Sequence, residues 1–153
     1  AGGHLYVAGG ASLDADADGQ PVRDYLSDAW RFTPGIGWNR LPSLPEPAAA
    51  APAFGLGDSF FVLGGSDGIL APREAELRDQ HPGFNRSVKV FHPGKWSWQI
   101  LDWLPFSLVT TTSVIWYGLV VVPGGEDRPA HRSNAVYAVP QHEIIGNRAG
   151  VAR

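Results

Sequence analysis

The stretch that decides the fold is FFVLGG at residues 60–65, four apolar, β-prone residues followed by two glycines. Two other stretches align with it without gaps, LYVAGG at residues 5–10 and VVVPGG at residues 120–125. Each is typical of a short strand that ends where paired glycines let the backbone turn or approach a neighbour closely. One strand-and-turn unit that occurs three times indicates an internal repeat.

Two further markers keep the same phase as the paired glycines. Trp38 and Trp98 lie 26 residues before the first glycine of the second and third pairs. The segments 28–34 (DAWRFTP) and 87–93 (SVKVFHP) also align, and each has a phenylalanine two positions before the proline at its end. The repeat therefore has a fixed order: strand, paired glycines, loop, strand with Phe, strand with Trp, turn and strand.

Composition agrees with many short strands and excludes several classes of protein. The 153 residues include 19 Gly and 13 Pro, which favours strands joined by turns over long helices. The chain has no cysteine, which excludes disulfides and cysteine chemistry. A net charge of −3 without a Lys/Arg cluster predicts no nucleic-acid partner. No apolar run is long enough to predict a membrane span.

The repeat resembles the kelch repeat, whose blades pair a Gly-Gly strand with aromatic-containing outer strands. The resemblance implies an all-β, kelch-type β-propeller made of four-stranded antiparallel blades. We expect blades over residues 1–46, 47–105 and 106–140, a poorly ordered tail over 141–153, and an incomplete ring whose parent has six blades. The remaining blades would come from the parent chain or from other copies. The glycine pairs are 55 and 60 residues apart, slightly more than the kelch period of about 50.

The segment after the third glycine pair carries the densest set of chemically active side chains. Residues 125–132 read GEDRPAHR and place Glu126 and Arg132 six residues apart across a turn with proline. Such a carboxylate and guanidinium could face one ligand, with Arg128 and His131 beside them. From the spacing alone, a solvated loop with an exposed ion pair, worth under about 1 kcal/mol, is the open alternative. Arg73, in the long loop after the second glycine pair, is a further candidate ligand contact.

The same segment is similar to a loop of the N-acetylneuraminate epimerases, which are sialic acid mutarotases on a kelch propeller. Their pattern is Gly-Glu, a variable residue, Lys or Arg, Pro, Gly, a variable residue and Arg. The resemblance implies that Glu126 and Arg132 are catalytic and that Arg128 and His131 contact substrate. Ala130 stands where the family has Gly, so a positive φ there would strain the turn.

The chemistry implied by the resemblance is anomer interconversion of a small sugar acid by general acid–base catalysis. Glu126 would move the protons, and Arg132 would bind the substrate carboxylate or stabilise a developing oxyanion. The alternative is a non-catalytic kelch module that binds a protein or a glycan. The resemblance also implies export, often to a periplasm, although the residues themselves indicate no compartment.

No metal site and no cofactor are predicted. The DADADG stretch at residues 14–19 imitates the start of a calcium loop, but Tyr25 occupies the position where that loop needs Glu. The histidines show no close pair of the kind common in zinc sites; they are His4, His81, His92, His131 and His142.

Overall fold

The computed structural model describes residues 1–146, and these form mostly antiparallel β-sheet. The strands, in chain order, are β1 Leu5–Ala8, β2 Ala11–Ala15, β3 Pro21–Tyr25, β4 Ala29–Thr33, β5 Gly37–Arg40, β6 Ala53–Leu56, β7 Ser59–Gly65, β8 Asn85–His92, β9 Ser97–Trp103, β10 Val114–Trp116, β11 Leu119–Arg128 and β12 His131–Pro140. Helical segments are short: α1 Glu74–Leu77, α2 Gln141–Gly146 and 3₁₀ turns at Ala71–Arg73, Arg78–Gln80 and Pro93–Lys95.

Apart from the hairpin β2-β3, the strands form three sheets, which are numbered here in chain order. The second sheet is a four-stranded meander with the order β6-β7-β8-β9. All its neighbours pair antiparallel, and the register of β7 with β8 shifts between Leu63 and Gly65. Successive side chains of β8 point to opposite faces. Val88 and Val90 lie in one hydrophobic cluster and Phe91 in another, so this sheet buries both faces.

The first and third sheets repeat parts of this arrangement. Their orders are β1-β4-β5 and β10-β11-β12, which correspond to the last three and the first three strands of the second sheet. The Phe and Trp markers of the sequence are cross-strand partners, Phe32 with Trp38 and Phe91 with Trp98. The hairpin β2-β3 stands apart and fills the loop after the first glycine pair.

Hydrophobic packing joins successive sheets. Tyr6, Phe60 and Phe91 belong to the cluster between the first and second sheets, and Phe61 and Val122 to the cluster between the second and third. Burying such a side chain contributes about 1.5–3 kcal/mol. Each sheet therefore depends on its neighbour for a core, as blades of a repeat protein do.

A hydrogen bond reinforces the first of these contacts. The indole nitrogen Nε1 of Trp98 donates to the carbonyl oxygen of Pro42 at 2.8 Å, which ties β9 to the connection that precedes its own sheet. Trp38 packs on Phe32 as Trp98 packs on Phe91, with ring centroids 5.3 and 5.4 Å apart, but Trp38 is 52% exposed. The two tryptophans thus occupy the same position in their sheets, and the segments packed beside each one determine how far its side chain is buried.

The predicted blade boundaries, 46/47 and 105/106, fall in segments without strands. Of the expected poorly ordered tail, residues 141–146 form α2, which contacts β12, and residues 147–153 lie outside the described part of the chain. Within the described residues, none of the helices has both the length and the apolarity that a membrane crossing needs.

Candidate active site beside the repeated glycine pairs

The residues that directly follow the three glycine pairs line one cleft. Ala11, Ser66 and Glu126 hold equivalent positions in the repeat, and all three border a cavity of about 410 Å³. Backbone bridges fix two of them: Ser66 pairs with Ala49, and Glu126 pairs with Val109, with N–O distances of 2.8 to 2.9 Å. The fold therefore gathers the equivalent position of all three repeats around one cavity.

The glycine that precedes Glu126 permits this close approach. Gly125 has φ +111°, and a Cβ there would lie 2.6 Å from the carbonyl oxygen of Val109. A side chain at this position would break the bridge between Val109 and Glu126. Because Gly125 has no side chain, the backbone of Glu126 can lie close enough to Val109 to form this bridge.

Glu126 and Arg132 form an ion pair. They are cross-strand partners in the hairpin β11-β12, and the Arg132 Nη2 lies 3.1 Å from the Glu126 Oε1. The Glu126 side chain is 20% exposed, whereas that of Arg132 is 68% exposed. Glu126 borders the cleft and Arg132 does not, so the carboxylate faces the cavity while the guanidinium holds it from outside the lining.

The tip of the hairpin holds the other two residues predicted in this loop. His131 Nδ1 lies 2.7 Å from an oxygen of Asp127, and both side chains are partly exposed. The Nε of Arg128 is buried and has no hydrogen-bond partner within residues 1–146. Arg128 and His131 are paired at the end of the hairpin, next to a turn whose residues Pro129 and Ala130 border the cleft.

Ala130 has φ +60°, a conformation that is costly for any residue except glycine. The turn therefore has a positive φ at the position where the N-acetylneuraminate epimerases have Gly, as the sequence comparison anticipated. Nevertheless Glu126 and Arg132 remain paired. The turn carries strain of about 1–2 kcal/mol without separating the two side chains.

Arg73 lies apart from this group. Its Nε and Nη2 donate to both carboxylate oxygens of Glu76, at 3.1 and 2.9 Å. Both side chains are more than half exposed, and Arg73 does not border the cleft. Its neighbour Glu74 does border it, so the long loop reaches the cleft through a carboxylate and not through the predicted guanidinium.

Sequence reasoning missed two further residues on the cleft, Arg23 and Tyr25. The repeat predicts only a loop after the first glycine pair, but this segment folds into the hairpin β2-β3, where Tyr25 pairs with Ala11. Alternation along β3 then places Arg23 and Tyr25 on one face. Ala11 aligns with Glu126 in the repeat, and side chains alternate along a hairpin. This alternation, counted from Ala11, is the sequence signal that could have found Arg23 and Tyr25.

The DADADG stretch forms the turn of this hairpin. An oxygen of Asp16 accepts hydrogen bonds from the backbone nitrogens of Asp18 and Gln20, at 2.9 and 2.8 Å. This is an Asx-type turn, in which the carboxylate is satisfied by its own backbone. Across residues 1–146, no three His, Asp or Glu side chains are placed to hold a metal ion together.

Comparison with known proteins identifies the fold. No family model matches the chain, and no curated protein matches it. The solved structure titled "Structure of YjhT" is similar, with a TM-score of 0.70 and 19% sequence identity over 92% of this chain. The match covers 47% of that structure, so this chain spans about half its length. Together with the antiparallel sheets and the glycine repeat, the likeness shows that the chain is a run of β-propeller blades.

Proposed function

We propose that this chain supplies the acid–base group of a kelch-type propeller that interconverts the anomers of a sugar acid of the sialic acid type. One observation carries the proposal: Glu126 takes the cleft position that Ser66 and Ala11 take in the other repeats, and Arg132 holds its carboxylate. The similarity of residues 125–132 to the loop of the N-acetylneuraminate epimerases supports the choice of chemistry. A cleft of about 410 Å³ has room for one sugar ring.

The reaction requires two proton transfers on the sugar. The anomeric hydroxyl loses its proton, the bond from the anomeric carbon to the ring oxygen breaks, and the ring oxygen gains a proton. The open chain then rotates and closes in the reverse sense. A carboxylate that borders the cleft can accept the first proton and return one to the ring oxygen, so Glu126 acts as both base and acid.

Arg132 acts here as a positioning residue. Its contact with the Glu126 carboxylate, 3.1 Å from Nη2 to Oε1, fixes the position of one carboxylate oxygen. Arg128 and His131 are proposed as substrate contacts from the hairpin tip, next to Pro129 and Ala130, which border the cleft. Arg73 is not part of the proposed site, because Glu76 holds its guanidinium.

The proposal is tested on the full-length polypeptide that carries this sequence. Freshly dissolved α-N-acetylneuraminate is mixed with wild-type protein, and the approach to anomeric equilibrium is followed by proton NMR. Glu126→Gln keeps the size of the side chain and removes the base. We expect it to lower the catalysed part of the rate by about 10²- to 10⁴-fold.

Glu143→Gln is the matched control, since Glu143 is an exposed carboxylate on α2, beyond the end of β12 far from the hairpin tip, and it should leave the rate unchanged. Arg132→Gln is expected to weaken catalysis less than Glu126→Gln does. If wild-type protein and buffer equilibrate the anomers at the same rate, the proposed activity is wrong. Binding of the sugar without catalysis would favour the alternative, a glycan-binding module.

A further inference from the structure

The cleft contains a cation that the proposed mechanism does not use. Arg23 borders it from the hairpin β2-β3, and its side chain is exposed. Within residues 1–146, its guanidinium makes no ion pair or hydrogen bond. Arg132, by contrast, is already held by Glu126 at 3.1 Å and does not border the cavity. The uncommitted positive charge of the cleft therefore comes from the first repeat.

The register of the hairpin explains how this charge reaches the cleft. Arg23 pairs with Leu13, and Tyr25 pairs with Ala11, so these residues share one face of the two-stranded sheet. The acidic residues Asp14 and Asp24 alternate with them and lie on the opposite face. The hairpin is acidic in sequence, but its register presents an arginine and a phenol to the cavity.

Packing across the cleft holds this face in place. The ring of Tyr25 lies directly against Gly68 in the long loop, where an added Cβ would collide with the ring carbons. Gly68 also has φ +79°, so glycine is required there twice over. The first and second repeats thus meet at Tyr25, two residues from the free guanidinium, and this contact limits movement of the hairpin.

Charge decides what such an arrangement can bind. Two carboxylates border the cavity, Glu126 and Glu74, and Arg132 pairs with the first. An anionic ligand needs a cation that is not already paired, and a guanidinium binds a carboxylate through two parallel hydrogen bonds. Arg23 is the residue lining the cleft that meets both conditions.

We propose that Arg23 binds the carboxylate of the sugar acid and that Tyr25 lies beside the bound ring. This inference rests on the proposed function for the identity of the sugar, and it reassigns the carboxylate contact from Arg132 to Arg23. Arg23 then selects sugar acids over neutral sugars, whereas Glu126 moves the protons. Specificity and chemistry come from different repeats of the same chain.

A binding experiment tests the inference separately from catalysis. The probe is the methyl α-glycoside of N-acetylneuraminic acid, which cannot open its ring, and its methyl ester is the matched ligand without charge. Binding to the full-length polypeptide is measured by calorimetry. Wild-type protein is expected to bind the acid about 10- to 100-fold more tightly than the ester, the range for a charge-assisted pair.

Arg23→Gln should remove this preference, and Arg23→Lys should restore part of it, because lysine keeps the charge and loses the planar fork. Arg40→Gln is the matched control: Arg40 is exposed on β5, 6.0 Å from the ring of Trp30, and its replacement should leave the preference intact. Circular dichroism of each variant checks that the hairpin and the sheets are folded.

The possible results separate the two proposals. If Arg132→Gln removes the preference and Arg23→Gln does not, or if wild-type protein binds acid and ester equally, the assignment of Arg23 is overturned. If the preference depends on Arg23 but the free sugar shows no catalysed mutarotation, the carboxylate site stands and the proposed activity fails. If mutarotation is catalysed and Arg23→Gln leaves KM unchanged, the activity stands and this inference fails.

Discussion

Two equivalent contacts in this molecule have opposite chemistry. Before the second sheet, Glu46 follows a proline and lies 3.0 Å from the Nζ of Lys89 on β8. Before the third sheet, Phe106 follows the equivalent proline and stacks on Tyr137 of β12, with ring centroids 4.0 Å apart. Lys89 and Tyr137 lie on equivalent strands, and each pairs with a valine at an equivalent position of the neighbouring strand. The repeat specifies where a connection meets a sheet, and the side chains decide how.

Burial makes the ionic version the more demanding of the two. Lys89 is 0% exposed, and its Nζ also donates to the carbonyl oxygen of Gly64 at 2.9 Å. Burial lowers the pKa of Lys89 below its ordinary value, and the nearby Glu46 carboxylate offsets only part of that effect. Burial alone would raise the pKa of Glu46, but hydrogen bonds from Ser87 and Lys89 lower it below its ordinary value.

The sign of each pH effect follows from these directions. Because the folded pKa of Glu46 lies below its ordinary value of 4.5, its stabilisation is present above that pH and is lost as pH falls. Because the folded pKa of Lys89 lies below its ordinary value of 10.5, stability rises as pH rises toward 10.5. Both groups make the protein less stable when a proton is added.

The largest effect is expected when the ion pair loses one member. Glu46→Gln leaves the buried Lys89 ammonium without its counter-charge, and we expect the free energy of unfolding to fall by about 3–5 kcal/mol. Urea unfolding at neutral pH measures it. The control is Glu76→Gln, which breaks the exposed pair with Arg73 and should change stability by under about 1 kcal/mol. Equal effects of the two substitutions would contradict a structural role for the buried pair.

The glycine pairs give a second comparison between the same two sheets. Gly64 and Gly124 are equivalent, with φ +62° and +58°, so alanine is strained at both by about 1–3 kcal/mol. At Gly64 an added Cβ would also collide with the carbonyl oxygen of Asn85, whereas at Gly124 the nearest atom is the Ser133 carbonyl oxygen at 3.2 Å.

Gly64→Ala should therefore destabilise the protein by about 1 kcal/mol more than Gly124→Ala, an increment for the backbone shift that relieves the collision. Thermal unfolding of the two variants measures the difference, and Gly94→Ala serves as control because nothing lies near a Cβ there and its φ is not positive. Gly124→Ala proving the more destabilising would show that the long loop after Gly65 yields more readily than the hairpin after Gly125.

The repeated features were predictable from sequence because they recur in phase. The glycine pairs and the Phe and Trp markers give the strands and their order, and the structure confirms an all-β fold of antiparallel sheets. The loop at residues 125–132 was predictable for a similar reason, since its residues match a known pattern. Within it the structure pairs Glu126 with Arg132, while their catalytic role stays a proposal.

The remaining parts of the site depend on contacts between repeats that no local pattern encodes. Arg23 reaches the cleft only through the register of β2 with β3, in a segment where the repeat predicts only a loop. Lys89 occurs in a strand of alternating residues, where a lysine usually marks the exposed side, yet it is fully buried and pairs with Glu46 of the connection before its sheet. Such placements follow from tertiary packing between sheets.

A smaller loss of stability than that of Glu46→Gln is expected when the ion pair is replaced as a whole by the aromatic stack. Glu46→Phe combined with Lys89→Tyr copies the Phe106–Tyr137 stack into the contact before the second sheet. Replacing a buried ion pair with apolar side chains is often neutral, so the double variant should lie within about 2 kcal/mol of wild type and above Glu46→Gln. The loss of the bond from Lys89 to the Gly64 carbonyl sets that allowance.

Acid titration makes this last comparison specific to the ion pair. Wild-type protein should lose stability as pH falls below about 4.5, because Glu46 then takes up a proton more readily in the unfolded chain than in the folded one, and the double variant should lack that component. Urea midpoints measured from pH 3 to pH 7 in roughly one-unit steps follow it, with the single variants Glu46→Phe and Lys89→Tyr completing the cycle. If the double variant is as unstable as the sum of the single ones, the two contacts are not interchangeable, and the equivalence of the repeats ends at the backbone.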